Sequence, residues 1–407
     1  MRKTTLLVVV MCLFGASVYA GGYQVRLQGH RQTGMGLIGV SLFGDASNLF
    51  YNPAGLSKMN TKWSIMAGAS GIFSTTAFNL KNSVYQTTTD NPTGTPFYIY
   101  AAGMVTDRLG VGVGVYTPFG SSAKWDDDWA GSHLIQNISM KVFFIQPTVS
   151  YKISDMFSVG AGFVVASGSV ELNKTTSYGT PTAVGAAGLS GNTISYGYNV
   201  GVTITPNEEW SIGVDYRSRV NMTMEDGDAT FTLPTSVESI IPAKNYFNAE
   251  LPLPANLDIG VAYKPSDKLT LALELNYVFW GVYDSLKFEF KEKPELLNSS
   301  NPREYKNTMI FRVGGEYVIN DLLTVRAGFY YDPTPTDSEY FTPETPSLNT
   351  YGFSAGISIK PTKNLAIDIS YLHLETQESV RSYAPEYFTG TYNGRTMIPG
   401  IGVSYNF

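Results

Sequence analysis

Cysteine and histidine are nearly absent: the 407-residue chain has one Cys, Cys12, and three His. A zinc site of His and Cys ligands can hardly be assembled from that stock, and neither a CxxC nor an HExxH spacing occurs. No metal site and no cofactor are expected. Charge is scarce as well. Only 15% of residues are charged, with 28 Lys and Arg against 34 Asp and Glu. This excludes an acidic disordered tail and a solvated coiled coil, and the net charge of -6 argues against nucleic acid. Beyond the first twenty residues no stretch approaches the ~20 consecutive apolar residues of a membrane helix. What the chain has in quantity is glycine, 40 residues, and aromatics at 13%. That composition suits strands that are apolar on one side only.

The first twenty residues read as a secretory leader. Arg2 and Lys3 precede the apolar run Leu6 to Phe14, and Val18-Tyr19-Ala20 supplies small residues for cleavage after Ala20. Cleavage there removes Cys12 and takes the basic count from 28 to 26 against 34 acidic residues, a net charge of about -8. A chain without a membrane helix can reside in a bilayer only as a closed barrel.

From Trp63 onward the chain alternates. Leu269, Leu271, Leu273, Leu275 and Tyr277 oppose Thr270, Ala272, Glu274 and Asn276, and Ile401, Val403, Tyr405 and Phe407 oppose Gly402, Ser404 and Asn406. A soluble sandwich also alternates, but its strands are usually about five or six residues long. Many of these runs reach ten residues with aromatic ends, which spans a hydrocarbon core at a tilt of about 45°. Asp215, Arg217, Arg219, Asp258, Glu274, Arg312, Glu316, Arg326 and Asp368 all take the small or polar parity. On the lipid side a mid-bilayer Lys or Arg would cost roughly 2–4 kcal/mol.

Six short turns are marked by Asp107, Asp155, Asn207, Asp267, Asp321 and Lys363. Seven longer polar segments lie around residues 77–95, 118–136, 173–192, 226–252, 283–304, 333–348 and 376–394. Thirteen connections predict fourteen strands: an all-β, fourteen-stranded antiparallel transmembrane β-barrel over residues 61–407, ending on an aromatic Phe407 suited to outer-membrane assembly machinery. Such a bore is too wide for side chains alone to fill. Residues 21–60 lack strand alternation yet carry Leu37, Ile38, Val40, Leu42, Phe43, Leu49, Phe50 and Leu56, so an N-terminal hatch inside the lumen is expected rather than a disordered leader.

Gly21-Gly22-Tyr23-Gln24, Thr33-Gly34-Met35-Gly36, and Asp45 through Asn52-Pro53-Ala54-Gly55-Leu56 resemble the FadL/TodX family of outer-membrane transporters for hydrophobic molecules. The Pro118-Phe119-Gly120 to Trp129-Ala130-Gly131 segment adds to the likeness, which covers nearly the whole chain. The resemblance implies a monomeric barrel, a hatch motif at Asn52, Pro53, Ala54 and Gly55, an internal site near Tyr23, and a lateral break in the wall.

The residues suggest a route. Gly110, Gly112 and Gly114 share the inward parity of one strand, and Pro147 removes a ladder donor in the next. Either the wall opens there or the glycines only make room for the hatch. Trp125 and Trp129, four apart, would share one face of a short helix and with Phe119, Leu134 and Ile135 form a first apolar site. The alternative for the tryptophans is the outer aromatic girdle. Asp126-Asp127-Asp128 reads as a solvated face, or as a divalent-ion contact at the lipopolysaccharide surface. Arg217 and Arg312 either meet an anionic head group or belong to an ion-pair network that anchors the plug. Gly352-Phe353-Ser354-Ala355-Gly356 matches G-x-S-x-G, but it lies within an alternating strand with no helix after it, so no enzyme is expected. The expected function is passive transport of a hydrophobic or amphipathic small molecule. The alternatives are a surface adhesin or structural barrel, and an aqueous porin.

Overall fold

The computed structural model describes residues 22–177, 184–235 and 237–407, so the leader expected over residues 1–20 lies outside the described residues. Alternating apolar residues give fourteen wall strands. They are β1 (Trp63–Ser70, continuing as Phe73–Leu80), β2 (Phe97–Met104), β3 (Leu109–Lys124), β4 (Asn137–Lys152), β5 (Phe157–Ser177) and β6 (Val184–Ile204). They continue as β7 (Trp210–Arg217 and Val220–Thr232), β8 (Lys244–Leu253 and Asn256–Ser266), β9 (Leu269–Val278 and Ser285–Phe290) and β10 (Ser299–Pro302 and Thr308–Val318). The last four are β11 (Leu323–Asp332), β12 (Thr350–Ile359), β13 (Leu365–Thr376) and β14 (Phe388–Asn406).

Every neighbouring pair is antiparallel, and β1 pairs with β14 from Ser64↔Asn406 to Ser70↔Gly400, so the sheet closes on itself. Closure leaves no lipid-exposed edge, which is the condition for strands to cross a bilayer. Phe407 completes the seam, its amide donating to the Trp63 carbonyl at 2.9 Å.

The sheet is inverted relative to a water-soluble protein. Leu271, Leu273 and Leu275 are 43–47% exposed, while Glu274 between them is 1% exposed. Asp215, Arg217, Asp258, Arg312, Glu316, Arg326 and Asp368 are likewise buried. An exposed apolar belt around buried charges is stable only where the outer solvent is hydrocarbon. Arg219 departs from the expected parity. It is exposed, because strand β7 breaks at Ser218–Arg219 and the alternation restarts at Val220.

The outer segments also depart from expectation. Parts of 118–136, 173–192, 226–252 and 376–394 are strand, since β3 runs to Lys124, β5 to Ser177, β7 to Thr232, and β14 begins at Phe388. Above the hydrocarbon, pairing persists without any need for an apolar outer face, so the alternation that announces a strand fades before the strand ends.

Residues 22–60 lie against the inward face of the wall. They form two short helices, α1 (His30–Gly34) and α2 (Asn48–Tyr51), and a 3-10 turn at Pro53–Lys58. Glycines on the wall give this backbone its place. A Cβ at Gly213 would stand 1.8 Å from the Val40 carbonyl, one at Gly328 2.1 Å from the Gly36 nitrogen, and one at Gly160 2.4 Å from the Pro53 carbonyl carbon.

Candidate functional site: a lumen divided by the N-terminal segment

Charged and amide side chains from the wall reach the polar backbone that a non-strand segment leaves unpaired. Glu274 Oε2 accepts from the Gly39 and Val40 amides at 2.9 and 3.0 Å, and its Oε1 receives Arg26 at 2.8 Å and Arg312 at 3.2 Å. Arg26 also pairs with Asp258 at 3.1 Å. A second chain runs from Asp45 through Arg31, Glu316 and Arg326 to Asp368. Asn52 donates to the carbonyls of Val40 and Val202 and accepts from the Ala54 amide, so it ties two parts of the segment to β6. Pro53 and Ala54 press on Gly160, and Gly55 packs on the Asn48 side chain.

His30 docks at the closing seam. Its ring fills a niche that side chains at Gly68, Gly400 or Gly402 would occupy, and Nδ1 lies 2.9 Å from Ser370 Oγ. Burial pushes its imidazole down to about 4 against the opposing pull of Asp368.

The first described residues are held differently. Val25 donates to the Pro118 carbonyl at 2.7 Å, the Gly120 amide donates to the Tyr23 carbonyl at 3.1 Å, and Gln24 bridges Phe119. Tyr23 Oη donates to the Pro252 carbonyl at 2.6 Å, and its ring meets Trp280 edge-on at 4.9 Å and Phe119 at 6.3 Å. The Gly22 amide donates to Ser347 Oγ at 3.0 Å, on the β11–β12 loop that folds inward over the lumen.

Two cavities flank this short segment. One, of about 90 Å³, has Tyr23, Met140, Met222, Met224, Phe247 and Leu251 among its walls and is almost wholly apolar. The other, of about 590 Å³, extends from Gly22 and Val25 to Phe97 and Phe143. Phe97 and Phe143 belong to the outward parity of β2 and β4, and their rings meet at 6.0 Å. Met140, Val142 and Thr345 line both cavities.

The wall is weakest beside the larger cavity. The β3–β4 register shifts between Tyr116 and Phe119, and β2 begins only at Phe97. There the Thr117 hydroxyl, accepting from the Phe97 amide at 3.0 Å, replaces a backbone ladder bond. Gly110 and Gly112 lie lower and receive Leu56 and Leu49 of the N-terminal segment, while Gly114 faces the Tyr100 ring. The β3–β4 ladder is continuous through them. Pro147 does interrupt pairing, but toward β5, between Ile145↔Val165 and Thr148↔Gly162.

Trp125 and Trp129 lie in a turn, not on a helix. Their rings stack at 4.3 Å, and both are 1% exposed. Phe78, Phe341, Phe388 and Tyr392 enclose them, with Ile135 fully buried and Leu134 packed against the same cluster. They are a packed cap under the outer loops, neither an open groove nor a lipid-facing girdle. Arg217 donates to Tyr116, Gln146 and the Phe50 carbonyl, and Arg312 to Glu274 and Asn276, so both face internal partners away from the apolar cavity. Ser354 sits within β12, where its hydroxyl accepts from the Gly36 amide at 2.9 Å. No group of three or more His, Cys, Asp or Glu suited to a metal ion occurs among the described residues. The sequence reading missed Met140, Met222, Met224 and Phe247, because they sit on inward positions of long outer strand extensions that had been assigned to loops or given no role.

A closed fourteen-stranded antiparallel barrel with an apolar outer belt defines an outer-membrane β-barrel protein. The chain belongs to the outer membrane protein transport protein family (OMPP1/FadL/TodX), whose model matches residues 11–407. It is 27% identical to an outer membrane protein of Neisseria meningitidis serogroup B, over 93% of this chain and 91% of that protein. It is 20% identical to a long-chain fatty acid transport protein of Salmonella typhi, over 98% of each. The fold matches a Pseudomonas aeruginosa FadL homologue with a TM-score of 0.86 at 18% identity, covering 95% of this chain and 100% of that one. It also matches the Pseudomonas putida toluene transporter TodX with a TM-score of 0.77 at 16% identity, covering 96% and 99%.

Proposed function

We propose that the chain carries a hydrophobic or amphipathic small molecule, a long-chain fatty acid or an aromatic hydrocarbon, passively across the outer membrane. Residues 22–60 act as a plug. The apolar cavity behind Tyr23 receives the molecule, residues 22–25 act as the gate, and the larger cavity leads sideways to lipid past Thr117 and Phe97. The driving force is differential solvation: apolar surface leaves water for an apolar chamber and then for hydrocarbon, with no covalent step.

The observation that supports this reading best is the continuity of the larger cavity from the N-terminal segment to the lipid-facing Phe97 and Phe143. The gate is suited to movement, since uncharged hydrogen bonds and aromatic contacts hold it, whereas ion pairs hold the rest of the segment. The lateral opening expected at Gly110, Gly112, Gly114 and Pro147 is accordingly proposed higher in the wall, at the Thr117–Pro118 irregularity.

The test locks the gate. Gln24 and Phe119 are antiparallel bridge partners, a spacing compatible with a disulfide. A Gln24→Cys, Phe119→Cys protein is expected to lose about tenfold or more of its n-butylbenzene uptake when oxidised and to recover it on reduction. Equal uptake in both states, with the disulfide verified, would refute the gate. A large steady ion current through the unmodified protein would point instead to an aqueous porin.

A further inference from the structure

A transported acid needs a cation at the polar end of its chamber, and among the described residues none lines the chamber behind Tyr23. Glu344 is the buried charged residue of its wall, a carboxylate, whereas Glu250 pairs with Thr223 on the outward parity of β8 and is exposed. The Arg303 guanidinium, buried at the break in β10, donates to Glu344 at 2.6 Å, with further bonds to the Asn301 and Pro302 carbonyls. Lys174 lies within electrostatic reach of Glu344 and Glu386. Around this end the charges of Arg303 and Lys174 offset those of Glu344 and Glu386. Two further polar groups of the wall are occupied, Tyr23 Oη by the Pro252 carbonyl and Thr345 Oγ1 by Tyr305. An incoming carboxylate would lose its water and meet Glu344, whose bond to Arg303 already engages that guanidinium. An uncharged molecule meets mainly methionine, aromatic and aliphatic surface, and the thioethers of Met222 and Met224 adapt to its shape.

We infer that the ligand of this chamber is uncharged, an aromatic or short alkyl hydrocarbon or alcohol, and that Glu344 excludes acids by holding Arg303. The volume agrees with the size class. One water takes roughly 10–15 Å³ of such a cavity, so about 90 Å³ admits one ring with a short chain and not an extended long chain. This inference rests on the proposal that the cavity is the transport chamber.

Purified full-length protein in detergent is titrated with phenylbutanol and with phenylbutyrate, which share ring and chain length and differ in charge. Intrinsic tryptophan emission follows occupancy, since Trp280 packs on Tyr23 at the cavity wall. The alcohol is expected to bind about tenfold or more tightly at neutral pH, and Glu344→Gln, by releasing Arg303, is expected to bring phenylbutyrate level with it. Equal affinities in the unmodified protein, or a folded Glu344→Gln protein with the original preference, would overturn the inference while leaving the chamber in place. Failure of both probes to bind would overturn the chamber as well. The comparison in the unmodified protein decides the matter even if the variant does not assemble.

Discussion

The two halves of the lumen are filled by opposite chemistry. Toward the short turns, Glu274, Arg26, Glu316, Arg31 and Asn52 hold the N-terminal segment by directional bonds, and glycines let its backbone approach the wall. Beyond Tyr23, toward the long loops, Met140, Met222, Met224, Phe247 and the stacked Trp125 and Trp129 fill space mainly by apolar contact, the two indoles adding single bonds to the Pro343 and Ile135 carbonyls. Buried charges specify one arrangement, because any other leaves them unpaired at large cost. Methionine and aromatic surface tolerates several arrangements, because contact energy depends little on angle. A static plug and an adaptable chamber can thus share one bore.

The sharpest way to break this contrast is Glu274→Ala. It leaves Arg26 and Arg312 short of a partner and the Gly39 and Val40 amides unbonded. A loss of roughly 3–5 kcal/mol is expected, read as early proteolysis within residues 22–60 while the barrel still resists heating in detergent. Unaltered protease resistance would show that the ion pairs do not hold the segment.

Acid should act on the same half. With the His30 imidazole lowered to about 4, the folded protein resists a proton that the unfolded chain takes up near 6.5. Docking is therefore full above about pH 6.5 and weakens as pH falls toward 4, by of order 3 kcal/mol at most. Protease access at residues 22–60 measured from pH 8 to 4.5 should rise over that window, and His30→Asn should flatten the profile. A profile unchanged in His30→Asn would assign the acid sensitivity elsewhere.

Steric filling comes next. Gly213→Ala places a methyl against the Val40 carbonyl, where 1.8 Å is available. An expected cost of roughly 1–3 kcal/mol should appear as a lower denaturant midpoint. In the apolar half, Met224→Leu should cost less than about 1.5 kcal/mol and change which hydrocarbons are taken up. If Met224→Leu were as damaging as Gly213→Ala, the chamber would be as rigid as the plug.

The barrel was legible because lipid imposes a rule on every crossing residue. Leu269 to Val278 alternates since one side meets hydrocarbon, and the charges at Glu274, Arg312, Glu316 and Arg326 fell on the other side for the same reason. The motif Asn52-Pro53-Ala54 was legible as a landmark, although its work, stitching Val40 to Val202, was not. Where the rule lapses, the reading failed. The extensions of β3, β5 and β7 above the bilayer looked like loops, Arg219 shifted face at a break, and the two tryptophans stacked in a turn.

Periodicity along the chain was enough to specify a closed fourteen-stranded wall, its lipid-facing side and a non-strand segment available to enter it, because those properties follow from neighbours in sequence and a single outer solvent. Which glycine faces which backbone, that Arg303 is held by Glu344, and that Tyr23 stands between two cavities depend on residues up to a few hundred positions apart. Contacts of that range are set by strand register and loop folding, and no local pattern encodes them.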